Sequence, residues 1–349
     1  MDRRRFLAAT AAGLTATAAG CVEAFESAAE TSYGREPPVV EDRPDAIYWP
    51  THTEAMEMAG MGTTSDGRRV ALSYTYPHRF WRVFQADDGS YESRIFEVEA
   101  SDAVHLMATV WDNDTGVVLP VSSVDIAVTG GNDVDERETI YPMLSQRMGF
   151  HYGDNYHLDG DGIYTAAVTV GGVTAERFGD FRQRLDAPES VEINFEYSES
   201  VRNDLGFTEY DNAGEAGAVD PMEMEMTPTG TVDELGGTAM GEALADDIRF
   251  RANLVEADRF GGPYLAVTVA TRYNEFVVPD MGLEASTDGE FAESLAVGLD
   301  PELGFHYGVA APDLSGDEEL TVDVTTPPQV ARHEGYEMAF FSTPTVTLS

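Results

Sequence analysis

Gly149-Phe150-His151-Tyr152-Gly153 recurs residue for residue as Gly304-Phe305-His306-Tyr307-Gly308. The chain has seven histidines in 349 residues, so two in one setting point to two copies of a single unit. Working outward, His105-Leu-Met-Ala-Thr-Val-Trp-Asp-Asn-Asp-Thr-Gly-Val-Val-Leu-Pro120 lies over Tyr264-Leu-Ala-Val-Thr-Val-Ala-Thr-Arg-Tyr-Asn-Glu-Phe-Val-Val-Pro279, sharing Leu, Thr, Val, Val and Pro. Each reads as a strand, a polar turn, a second strand and a proline stop. Further upstream, Met56-Glu57-Met58 is answered by Met222-Glu-Met-Glu-Met226. The offset drifts from 166 to 159 to 155 residues, which is the mark of loops that grew and shrank after duplication. A period this long means two domains, not a solenoid.

The runs between these landmarks are short, alternating and rich in β-branched and aromatic residues: 104–111, 121–128, 163–170, 191–197, 264–270 and 320–325. Gly, Asp, Asn or Pro bound each one, and helical periodicity is nearly absent. That pattern predicts an all-β chain of two tandem β-sandwiches. The expected boundaries are 45–199 and 221–349, joined by a polar, Gly-rich linker at 200–220.

The N-terminus reads as an address. Arg3 and Arg4 open a twin-arginine export pattern, followed by an Ala-rich apolar stretch too short to span a bilayer. It ends in Ala18-Ala19-Gly20-Cys21, the form of a lipobox, and Cys21 is the sole cysteine. Residues 1–20 are therefore expected to be a signal, Cys21 a lipid attachment point binding the chain to membrane lipid, and 21–44 a flexible tether on the outer face of the membrane. A mature chain without thiols excludes disulfides, Cys-zinc sites, iron–sulfur clusters and blue copper.

The formal net charge is −42, and all 21 basic residues are arginine. Nucleic acid would be repelled. The acidic excess reads as a surface adapted to high salt, of haloarchaeal type, and says little about activity. No nucleophile elbow, P-loop, dinucleotide fingerprint or zinc-protease motif occurs, so no enzymatic activity is expected.

Ile140-Tyr-Pro-Met-Leu-Ser-Gln-Arg-Met-Gly-Phe-His-Tyr-Gly-Asp-Asn155 resembles the central motif of bacterial periplasmic iron-transport proteins, in which a Pro-Met pair precedes His-Tyr-Gly. Asp112-Asn-Asp-Thr-Gly116, Gly162-Ile-Tyr164, Pro221-Met-Glu-Met-Glu225 and Pro263-Tyr264-Leu265 resemble further motifs of that family, in the same order. The resemblance implies Ig-like sandwiches, a copper-capable site and delivery of iron to a membrane permease. The family's ligands are a His-x-Glu pair, a methionine, the His of His-Tyr-Gly and a late histidine. Here the resemblance selects Met143 and His151 in the first copy and His306 and His333 in the second, with His78 as a substitute for the His-x-Glu pair. Glu176-Arg-Phe-Gly179 lacks the late histidine, Gly298 takes the second methionine position, and Arg249-Phe-Arg251 replaces the second His-x-Glu pair. Neither copy holds a full set, so packing of the two domains as a pseudo-dimer would pool the ligands.

Imidazole with thioether favours Cu(I), and added carboxylates widen the choice to Cu(II), Fe(II) or Mn(II). Met56, Met58, Met222 and Met224 alternate with Glu and are either further thioether donors or fillers of core gaps. For His151 and His306 the alternative to ligation is a ring bonded to turn backbone. His105, aligned with Tyr264, is expected in core packing. His52-Thr-Glu54 places both side chains on one strand face but is expected in a solvated loop. The expected function is a cell-surface, lipid-anchored binder of iron(II) or copper that supplies a permease. The alternative is a sandwich module that has lost its ion and binds protein or glycan.

Overall fold

The computed structural model describes residues 38–349, except 121, 132, 233, 234, 343 and 349. Arg3, Arg4 and Cys21 lie outside the described residues. The alternating runs become strands, as β-branched and aromatic side chains on a pleated, half-buried surface should. In chain order these are β1 (His52–Glu54), β2 (Glu57–Thr63), β3 (Arg68–Thr75), β4 (Phe80–Gln85), β5 (Tyr91–Phe96), β6 (Val104–Asp112), β7 (Val124–Gly130), β8 (Val134–Ser145), β9 (Gly149–Tyr156), β10 (Gly162–Val170), β11 (Glu176–Arg177), β12 (Glu189–Tyr197) and β13 (Phe207–Glu209). The second half continues with β14 (Thr238–Ala245), β15 (Ile248–Ala257), β16 (Gly262–Thr271), β17 (Gly282–Thr287), β18 (Ala292–Ser294), β19 (Ala296–Asp300), β20 (Gly304–Ala310), β21 (Leu320–Thr326), β22 (Ala331–Arg332) and β23 (Thr345–Leu348). Among the described residues the helical elements are single turns, at Glu199–Asn203, Gly179–Gln183 and Asp258–Phe260. The chain is an all-β sandwich protein.

The first half orders its strands β12-β10-β7-β8 and then β9-β6-β3-β2. β8 serves both runs. Its first seven residues pair with β7 and its last five with β9, and Pro142, which has no N–H to donate, stands just past the crossover. The second half repeats the plan as β23-β21-β17-β18 and β19-β20-β16-β15-β14, with the path of β8 divided between β18 and β19. Alternation along β7 and β10 buries Val124, Ile126, Val128, Ala166 and Val168 against Val70 and Leu72 of β3 and Leu106, Ala108 and Val110 of β6.

Each half also gives a two-residue strand to the other. β11, from the first half, pairs in parallel with β19, and β22, from the second, pairs in parallel with β8. The registers match: Glu176 and Arg177 face Gly298 and Leu299, as Ala331 and Arg332 face Met143 and Leu144.

Two further departures place the site. A hairpin, β4–β5, follows β3 in the first half, where the second half has only the turn at Asp258–Phe260. The segment 200–220 is not purely a connector, because β13 pairs antiparallel with β1. That pairing removes His52 from the solvated loop expected of it. The side chain is buried, with Phe207 at 5.7 Å ring to ring.

Candidate metal centre

The site begins with a turn. Gly149 takes φ +68°, a left-handed conformation that costs glycine little and lets β8 return as β9. The return sets Met143 directly across from His151. Two residues on along the same face, Gly153 carries no side chain. A Cβ there would lie 2.7 Å from His105 Nε2 and 3.2 Å from Met143 Sδ, so glycine leaves the space into which both donors lean. His105 comes from β6. His78 comes from the segment between β3 and the hairpin, and its ring stacks on His105 at 4.1 Å. β22 carries His333 in from the second half, with its amide bonded to the Leu144 carbonyl at 3.1 Å.

Donor nitrogens of His78, His105 and His333 lie within 4.8 Å of one another. His78 Nε2 is 3.0 Å from His333 Nδ1, and His333 Nε2 is 3.2 Å from His151 Nε2. Met143, His105 and His151 are essentially inaccessible to solvent. Glu54 stands behind His78, its Oε2 3.1 Å from Nδ1, and its Oε1 is 3.5 Å from His52 Nε2. Glu334 lies 3.8 Å beyond, against His52 Nδ1. Five of the seven histidines (52, 78, 105, 151 and 333) are thus drawn into one continuous chain of contacts.

The partners assign the protons. The Gly149 carbonyl can only accept, so His151 Nδ1 is the protonated nitrogen and Nε2 keeps its lone pair. His333 then donates from Nε2 and accepts at Nδ1 from His78. Asn155 is oriented by its amide, which donates to the His78 carbonyl, so its Oδ1 accepts from His105 Nδ1. That leaves the lone pair of His105 Nε2 aimed into the cluster with no partner. Burial holds the His151 pKa down at about 4. Burial, then the proximity of His78, keeps His105 and His333 well below the ordinary histidine value. Burial would raise Glu54, but His78 and His52 outweigh it and bring its pKa to about 2.

These residues fit a metal ion as cargo. An orphaned, fully buried imidazole lone pair is costly unless something fills it. Neutral imidazoles are the ligating form, and a thioether needs no deprotonation at all. Glu54 sits where a carboxylate orients a ligating histidine through its far nitrogen.

The equivalent place in the second half is built differently. Gly298 faces His306 as Met143 faces His151, and the His306 ring occupies the space next to Gly298, where an added Cβ would come within 2.5 Å of Nε2. His306 Nδ1 bonds to Gly304 O at 3.0 Å, as His151 does to Gly149. Its Nε2 accepts from the Tyr264 hydroxyl at 3.2 Å, so both nitrogens are satisfied. Phe178 follows β11 as His333 follows β22, and stacks against His306 at 6.0 Å. Phe260 closes the pocket on Tyr264 at 4.4 Å.

Of the residues singled out in the sequence, His78, Met143, His151 and His333 therefore meet, and His306 lies apart with satisfied nitrogens. Met56 and Met58 lie at the start of β2, Met58 exposed, and Met222 and Met224 lie in the loop after β13, with the Met222 amide bonded to Arg147 O. None of these four is among the donors described above. His105 was expected in core packing, and it is fully buried, but with Nε2 free. Its alignment with Tyr264 hid it, and the signal was the reverse substitution: a histidine where the repeat has tyrosine.

A family described as "Domain of unknown function (DUF7350)" matches residues 233–349. No curated protein matches. Three solved structures match over 42% of this chain. FetP of uropathogenic Escherichia coli is 19% identical, with 96% of its chain covered and a TM-score of 0.28. A copper-bound variant of that protein is 18% identical, with 92% covered and a TM-score of 0.29. A copper-bound variant of Campylobacter jejuni P19 is 15% identical, with 96% covered and a TM-score of 0.27.

Proposed function

We propose that this protein captures a copper ion at the cluster of His78, His105, His151, His333 and Met143. The observation that carries the reading is the unpartnered lone pair of His105 Nε2, buried beside the Met143 thioether. Several imidazoles and a thioether form a soft-to-borderline donor set, which suits Cu(I) and accepts Cu(II), whereas Fe(II) prefers a set richer in carboxylate oxygen than the Glu54 that stands behind His78. The ion replaces contacts between imidazoles. His105 and His151 need give up no proton, because their Nδ1 protons are already held by Asn155 and Gly149. The sequence features of export and of lipid attachment at Cys21 support capture at the outer face of the membrane, with hand-over to a metal permease.

Titration of the full chain in high salt, with Cu(I) under reductant and a competing chelator, should show tight binding. Met143→Leu keeps the core volume, at a cost below about 1.5 kcal/mol, yet should weaken Cu(I) at least tenfold. His105→Tyr should weaken both copper states. Wild-type affinity in both variants would sink the assignment.

A further inference from the structure

The second half holds counterparts of four of the five donor positions, three of them substituted, with only the turn at Asp258–Phe260 where the first half brings in His78. We propose that this place is a latent metal position, shut by Phe178, Tyr264 and Gly298, so that the chain carries one working centre and one convertible one. This rests on the copper reading of the first centre.

The equivalence is set by hydrogen-bond register. Gly298 is to His306 as Met143 is to His151. Phe178 donates its amide to Leu299 O at 2.9 Å, as His333 does to Leu144 O at 3.1 Å. Tyr307 OH bonds to Val278 O and accepts from the Met281 amide, as Tyr152 OH bonds to Leu119 O and accepts from Ser122. With the strand pairing matched, three donor positions differ only in side chain, thioether to hydrogen, one imidazole to phenyl and another to phenol, while the segment that brings in His78 is replaced by the turn at Asp258–Phe260.

Each change removes a donor and fills its space. The Tyr264 hydroxyl takes up the lone pair that His306 would offer an ion. Phe178 puts carbon where His333 puts nitrogen. Gly298 gives up sulfur and admits the His306 ring. The same pocket is therefore polar and under-bonded in one half, aromatic and satisfied in the other.

The test is the number of ions bound. Wild-type chain should bind one equivalent of copper, and His306→Phe should still bind one with affinity within about twofold. The triple variant Phe178→His, Tyr264→His, Gly298→Met should bind a second equivalent. Phe178→His with Tyr264→His alone, which leaves the tight Gly298 contact untouched, is the milder form and should show a weaker second equivalent. Two equivalents in wild type, or loss of one on His306→Phe, overturns the proposal by making His306 a working ligand. Folded variants, judged by a wild-type circular dichroism spectrum, that stay at one equivalent overturn the equivalence while the first centre stands. No copper bound by wild type removes both.

Discussion

Gly153 matters for what it lacks. With a methyl group at 2.7 Å from His105 Nε2, the ring must move off its stack with His78, and the space beside Met143 Sδ narrows. Gly153→Ala should therefore lower copper affinity at least tenfold while the copper-free chain melts within a few degrees of wild type, as competition titration and calorimetry would show. His306 gives a residue-scale prediction in pH. Burial lowers its pKa to about 4 in the folded chain, against about 6.5 when unfolded. Above pH 6.5 both states hold it neutral and it has no effect. Below that the unfolded chain takes the proton first, so stability falls as pH drops towards 4, by up to about 3 kcal/mol. His306→Phe should flatten that part of the denaturation profile relative to wild type. The paired His-Tyr-Gly motifs and the Met143–His151 spacing made half the centre legible in the sequence. Glu54 and His52 were hidden, because only β1–β13 pairing, between residues more than 150 apart, buries them.

The element that completes the centre is β22, two residues long. Its Arg332 is fully buried, donates to the carbonyls of Pro328 and Ala339, and lies 4.3 Å from the Phe341 ring. Burial lowers its pKa to about 9, against the opposing pull of Glu337. Arg332→Leu strands both carbonyls and loosens the loop that presents His333. It should cost roughly 2–4 kcal/mol in denaturant unfolding, and it should weaken copper although no ligand has changed. β10 could be read from alternation, and β6 and β16, buried on both faces, from apolar and β-branched runs bounded by turn residues. β11 and β22 could not, since two residues show no period and their partners lie in the other half of the chain. The exchange between halves is thus a matter of long-range pairing, which places His333 of the second half beside His78 and His151 of the first.

Across the whole molecule, charge sets the working conditions. With a net charge of −42 and no lysine, the folded chain repels itself at every scale shorter than the screening length. That length is about 10 Å in 0.1 M salt and about 3 Å in 1 M. The thermal midpoint should rise steeply with sodium chloride up to about 1 M and then level off as screening saturates, followed by light scattering and circular dichroism together. A midpoint indifferent to salt would mean the acidic residues are spaced widely enough not to matter. Composition alone raises that expectation. It could not disclose that the halves interlock. That interlock has a consequence in time as well as in space. While the polypeptide is being made, His78, His105, Met143 and His151 emerge long before position 333, so on the proposed reading a half-finished chain lacks one of its five donors. The full proposed donor set exists only once synthesis has passed His333 and its loop has folded back against β8.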